Sequence, residues 1–125
     1  ATCTRMTRTV GINYGGRQDI LKAAQRAIQK FSQKSQLQQH EFEMGLNTSS
    51  LPDVDLLIRT GGEKRLSNFV LWEISYAELY FSDVLWPDFT LQDLSMAIKD
   101  YYGRNRRYGG DNVGEDDAAE TIIRA

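Results

Sequence analysis

"DLLIRTGGEKRLSNFVLW", residues 55–72, decides how the chain is read. The apolar run from Val54 to Thr60 has the length of a strand and no polar alternation, which predicts a strand covered on both faces. The segment from Ser67 to Ala77 places Phe69, Val70, Leu71, Trp72, Ile74 and Tyr76 around nearly every direction of a helix, as in a helix that is buried. Between the two lie Arg59, Gly61, Gly62, Arg65 and Ser67. At the carboxyl end of a parallel strand, a following helix aims free backbone N–H groups and the positive end of its dipole into the crevice. Paired glycines let the backbone come close to a ligand, arginines offer planar donors for phosphate oxygens, and a serine caps the helix or donates its hydroxyl. The gap reads as a diphosphate cradle. The competing reading is a plain turn with two solvated arginines, and the lack of a glycine-lysine-threonine pattern excludes a P-loop.

Working outward, "RTVGINYGG" (8–16) predicts a short strand ending in a glycine turn, and "RQDILKAAQRAIQKF" after it carries apolar residues at helical spacing. The polar stretch 32–53 predicts a surface excursion with a short helix, closed by Pro52 and Asp53. "ELYFSDVLWPDFT" predicts a third strand and a loop, and "TLQD" offers Thr90 as the cap of a final helix. Strand and helix alternate three times. The expected class is α/β, a parallel-sheet layer with flanking helices and right-handed crossovers. Residues 111–125, rich in acid, are expected to form a mobile tail.

The 125 residues are 41% hydrophobic, enough for one globular unit and too few for two. A formal net charge of -2 provides no basic field, which argues against nucleic acid or an anionic membrane surface as a general partner. The single cysteine, Cys3, makes no internal disulfide and fits a reducing compartment, so cytoplasmic localisation is expected. No stretch has the length and apolarity of a membrane span, and the start lacks the apolar core of a signal peptide. A first residue other than methionine, leading straight into a strand-like segment, suggests a chain that begins partway through a larger protein.

Other residues bear on chemistry. Glu78, in "YAELYF", sits among apolar neighbours where a carboxylate needs a metal or an arginine beside it. Arg104, Arg106 and Arg107 near the end of the last helix complement its dipole. His40 has no second histidine or cysteine at ligand spacing, so a zinc site is not expected. Ser32, Ser35, Ser49 and Ser50 lack a nucleophile-elbow context, and hydrolysis is not supported.

"NYGGRQDI", "DLLIRTGGEKRLSNFVLWEISYAELYFSDVLWPDF" and "RNRRYGG", in this order, closely resemble the carboxyl-terminal half of cis-prenyltransferases, most of all the bacterial undecaprenyl diphosphate synthase branch. The likeness covers residues 11–110, and residues 1–110 are taken as that half-domain. It implies condensation of isopentenyl diphosphate onto an allylic diphosphate such as farnesyl diphosphate, building a cis-polyprenyl lipid carrier, with magnesium as cofactor. It further implies that Arg59, Arg65 and Ser67 hold isopentenyl diphosphate and that Glu78 belongs to the magnesium-linked network. Arg107 and Gly109 match an arginine-x-glycine motif that in this family reaches into a neighbouring subunit's site, which implies a homodimer. Peripheral membrane contact would come through the lipid product. The family's amino-terminal aspartate-glycine-asparagine-glycine-arginine-tryptophan motif, with its catalytic aspartate, is absent, so this chain carries no catalytic residue of its own and is expected to be inactive alone. Lys64 and Arg8 depart from the family's pattern, Arg8 by placing charge in the first strand. The alternative is a non-catalytic partner subunit of a heteromeric cis-prenyltransferase, disfavoured because the cradle residues are complete.

Overall fold

The computed structural model describes residues 6–105. In chain order it contains α1 (Gly16–Lys30), α2 (Gln39–Glu43), β1 (Leu56–Arg59), β2 (Glu78–Phe81), one turn of 3-10 helix at Trp86–Asp88, and α3 (Leu91–Tyr102). The class is mixed α/β, with β1 and β2 paired in parallel in the register Leu56↔Glu78 to Arg59↔Phe81.

Helix α1 buries the row Asp19, Ala23 and Ala27, spaced four apart on one face. Small side chains there let the segment after α2 come very close: a Cβ on Gly45 would lie 2.8 Å from the Ala23 carbonyl oxygen and 2.9 Å from its Cα. The Asn47 N–H donates to Asp19 Oδ1 at 3.1 Å, and the Arg26 guanidinium donates to the Gly45 carbonyl. The polar excursion is thus docked on α1, and Phe42 of α2 packs its ring 4.6 Å from that of Trp72. At the other end of the chain α3 packs on β2. Thr90 starts α3 through a reciprocal cap: its Oγ1 accepts from the Asp93 N–H, while Asp93 Oδ2 accepts from the Thr90 N–H at 2.7 Å.

Three expectations fail here. The segment 8–15 forms no strand; it is irregular, with Val10 and Ile12 exposed and Asn13 at φ 52°. A strand needs a neighbour to satisfy its backbone, and among the described residues none pairs with this segment as a strand, so Arg8 interrupts none. The segment from Ser67 to Ala77 is a chain of turns, not a helix. Ser67, Asn68 and Val70 have φ of 49°, 64° and 36°, values that a right-handed helix cannot accommodate. Finally, β1 is half-buried along its whole length, not covered on both faces.

The fully buried apolar residues among those described are few: Ala23, Ala27, Leu46, Ile74 and Ala97. Ile12, Trp86, Leu91 and Tyr102 are each at least three-quarters exposed, so large apolar faces stand open. No helix is long and apolar enough to cross a membrane among the described residues. Cys3, Arg106, Arg107, Gly109 and the expected tail at 111–125 lie outside the described residues.

Candidate functional site

Strand β1 delivers Arg59 to its carboxyl end, opposite Phe81. Gly61 and Gly62 then reverse the chain at φ 86° and 75°, a left-handed pair that suits glycine. Their N–H groups are already used. Gly61 donates to the Val84 carbonyl at 2.8 Å and Gly62 to that of Ser82 at 2.9 Å, while the Ser82 N–H donates to the Arg59 carbonyl at 2.8 Å. The glycine pair therefore zips β1's exit to the loop after β2. With no helix following β1, the backbone donors and dipole expected at this place are not there, and side chains are the cradle's remaining donors.

Those side chains converge. A cavity of about 250 Å³ lies between β1 and the turns that follow, lined by Leu56, Ile58, Phe69 and Val70 together with both Arg59 and Arg65. Arg65 is ion-paired with Glu63, both largely exposed. Such a pair is worth about 0–1 kcal/mol, so an anionic ligand can displace Glu63 at little cost. Ser67 sits on the exposed side of the first turn and is not part of the cavity wall.

Glu78 lies elsewhere. It opens β2 opposite Leu56, three residues before Arg59 in register, or roughly 10 Å along the strands. Arg104, just beyond α3, donates to Glu78 Oε2 at 2.8 Å and to the Leu79 carbonyl at 3.1 Å, and pairs with Asp100 at 2.5 Å. The hydrogen bond to Glu78 is the main influence raising the Arg104 guanidinium pKa above its ordinary value. Arginine, one of the two partners anticipated for Glu78, is present as Arg104. No three histidine, cysteine, aspartate or glutamate side chains converge to hold a metal among the described residues. Glu78, paired with Arg104, is a single carboxylate, and a magnesium ion held by it would need further ligands from other residues. His40 is exposed on α2 and belongs to no cluster of three potential metal ligands among the described residues.

A buried polar cluster went unread in the sequence. Asp19 and Glu73 are 2% and 7% exposed; the Thr48 hydroxyl donates to Glu73 Oε1, and Glu73 Oε2 has no partner among the described residues. Tyr14 hydrogen-bonds Asp19, and its hydroxyl is pushed up to about 12, first by burial and then by the negative charges of Glu73 and Asp19. Only Asp19, in the first turn of a helix, carried a local signal; its meeting with Asn47, 28 positions away, and the approach of Glu73 to Tyr14 are products of the fold.

Residues 1–109 match the family described as "Putative undecaprenyl diphosphate synthase". An isoprenyl transferase of Treponema denticola is 55% identical over 102 residues, covering 80% of this chain and 43% of the relative. The Haemophilus influenzae ditrans,polycis-undecaprenyl-diphosphate synthase, described as (2E,6E)-farnesyl-diphosphate specific, is 49% identical over 111 residues, 86% of this chain and 46% of the relative. Among solved structures, a probable undecaprenyl diphosphate synthase from Campylobacter jejuni superposes with a TM-score of 0.69 at 41% identity, over 79% of this chain and 45% of the other. The lavandulyl diphosphate synthase of Lavandula x intermedia, solved with dimethylallyl diphosphate, gives 0.72 at 40% identity, over 79% and 44%. The chain spans less than half the length of the relatives it matches.

Proposed function

The chain belongs to the undecaprenyl diphosphate synthase family of prenyltransferases, and from that premise we propose that it acts as the isopentenyl-diphosphate-binding half of a cis-prenyltransferase. The observation that carries this reading is the cavity beside β1, where two arginines join an otherwise apolar wall. Isopentenyl diphosphate has the matching division, a dianionic or trianionic head on a branched five-carbon tail. Arg59 and Arg65 bind the head through charge-assisted hydrogen bonds, and Leu56, Ile58, Phe69 and Val70 take the tail. Ser67 adds its hydroxyl from the exposed face of the turn.

Held so, the alkene is aimed instead of diffusing, and orientation supplies a large share of the acceleration. The alkene attacks the allylic carbon, the allylic diphosphate leaves with the electron pair of its bond, and a proton departs from the isopentenyl unit to form the new double bond. The allylic site and the group that receives the proton lie outside the described residues. Magnesium would neutralise the departing diphosphate. Glu78 is the carboxylate this chain offers to it, and the remaining ligands must come from elsewhere in the complete enzyme. Farnesyl diphosphate is the proposed allylic partner, and the complete enzyme is proposed to be a homodimer in which Arg107 and Gly109 enter the neighbouring subunit's site. Placement in the cytoplasm, touching membrane only through its product, belongs to the same proposal.

The test is reconstitution. Joined to the amino-terminal half of the Treponema denticola isoprenyl transferase, the chain should elongate farnesyl diphosphate with labelled isopentenyl diphosphate, whereas the 125-residue chain alone should not. Elongation by the chain alone, or no uptake of label by a folded joined protein, would overturn the proposal. In mixed dimers of that joined protein, one subunit with Arg107→Ala and the other with Arg59→Ala, up to half the activity should return if Arg107 serves its neighbour's site; no recovery would place it elsewhere.

A further inference from the structure

Helix α1 has no cap of its own: Gly15 precedes it without a side chain to accept from the first turn. The acceptors come from Asn68, 51 residues beyond Arg17. Asn68 Oδ1 accepts from the Arg17 N–H at 2.8 Å, the Asn68 carbonyl accepts from the Gly16 N–H at 2.7 Å, and Asn68 Nδ2 donates to Gln18 Oε1 at 3.3 Å. The contact is as close as a backbone allows. A Cβ on Gly15 would lie 3.0 Å from Asn68 Nδ2, and one on Gly16 would lie 3.2 Å from the Asn68 carbonyl and 2.8 Å from Leu71 Cγ. The Gly-Gly pair at 15 and 16 is therefore a landing place for the turn, a role beyond that of an ordinary glycine turn.

Asn68 and its neighbour Ser67 both occupy left-handed backbone, at φ 64° and 49°. Asparagine tolerates that region better than most residues, but consecutive non-glycine residues there persist only when surrounding contacts enforce them. The three hydrogen bonds to α1 are that enforcement. They fix the point from which the chain runs back through Ser67 to Arg65, and so the direction in which these cradle residues leave the turn. We infer that Asn68 is a positioning residue: it fastens the Arg65–Ser67 arm of the isopentenyl diphosphate cradle to the amino end of α1. This inference rests on the function proposed above.

The test uses the reconstituted complete enzyme with Asn68→Gly, which removes the side chain while suiting the backbone, and Asn68→Asp, which keeps the acceptor for the Arg17 N–H. Asn68→Gly should raise the KM for isopentenyl diphosphate about tenfold, leave kcat and the KM for farnesyl diphosphate within about twofold, and speed hydrogen exchange at the Arg17 amide. Asn68→Asp should restore both the KM and the protection, since an anionic acceptor suits a helix amino end. Gly16→Ala pushes the turn off from the opposite side and should give the same selective KM rise, so the inference stays testable if Asn68→Gly does not fold. Unchanged KM in folded Asn68→Gly or Gly16→Ala, or equal losses for both substrates that Asn68→Asp fails to restore, would overturn it. A wild-type enzyme indifferent to isopentenyl diphosphate would overturn the functional reading itself, an outcome distinct from one in which wild type binds and every variant matches it.

Discussion

Arg104 donates to Glu78 Oε2 at 2.8 Å and so ties the end of α3 to the first residue of β2 across 26 residues of chain. The pair is partly shielded, at 34% and 23% side-chain exposure, and Arg104 is held in place by Asp100 as well. It is one contact between the end of α3 and the sheet, beside the buried Ala97, and it engages the Glu78 carboxylate.

A double-mutant cycle of Arg104→Ala and Glu78→Gln should therefore give a coupling of about 0.5–1 kcal/mol in urea unfolding, after allowance for solvent screening. In the complete enzyme Glu78→Gln should raise the magnesium concentration needed for half-maximal rate, while Arg104→Ala, which leaves the carboxylate in place, should not. Additive stability losses with identical magnesium dependence would show that neither the lock nor the metal role is real.

Gly45→Ala places a methyl group against the Ala23 backbone, which cannot move aside as a flexible side chain would. The substitution should cost about 1–3 kcal/mol, seen as a lower urea midpoint with an unchanged slope. Wild-type stability would mean that the segment after α2 does not dock on α1.

Two titrations carry stability in opposite directions. The Asp93 carboxyl lies below its ordinary value, chiefly because the Thr90 hydroxyl donates to it. Its contribution is thus present above the unfolded carboxyl pKa, about 4, and is lost as the pH falls through the lower folded value. Thr90→Val should flatten that acid limb of the melting curve.

The Tyr14 hydroxyl is raised to about 12, so its contribution is present below the unfolded phenol value, about 10, and is lost as the pH rises through the folded one. Asp19→Asn should bring Tyr14 back toward the ordinary phenol range in a spectrophotometric titration. An unmoved phenolate transition would contradict the cluster.

The parts of the fold legible in the sequence are those written in local pattern. Periodicity marks α1, the Thr90 cap marks the start of α3, and short apolar runs mark β1 and β2. Ser67 to Ala77 misled because its composition suits a buried helix, while its conformation is dictated by Asn68 reaching α1, a contact no local window contains. The first strand failed for the related reason that strands are made by partners. At the site, Arg59 and Arg65 line one cavity, while the sequence reading placed too much weight on the glycine amides, which pair with Ser82 and Val84. The arginine facing Glu78 was visible as a residue, but its arrival there depends on how α3 packs.

The central claim, that Arg59 and Arg65 hold the incoming five-carbon diphosphate, is tested most directly by steady-state kinetics of Arg59→Ala and Arg65→Ala in the reconstituted enzyme, with each substrate varied in turn. Each substitution removes a charge-assisted contact worth about 1.5–3 kcal/mol, so the KM for isopentenyl diphosphate should rise roughly ten- to a hundredfold while that for farnesyl diphosphate stays near its original value. Unchanged KM for isopentenyl diphosphate in both variants, or a loss that falls equally on the two substrates, would contradict the account.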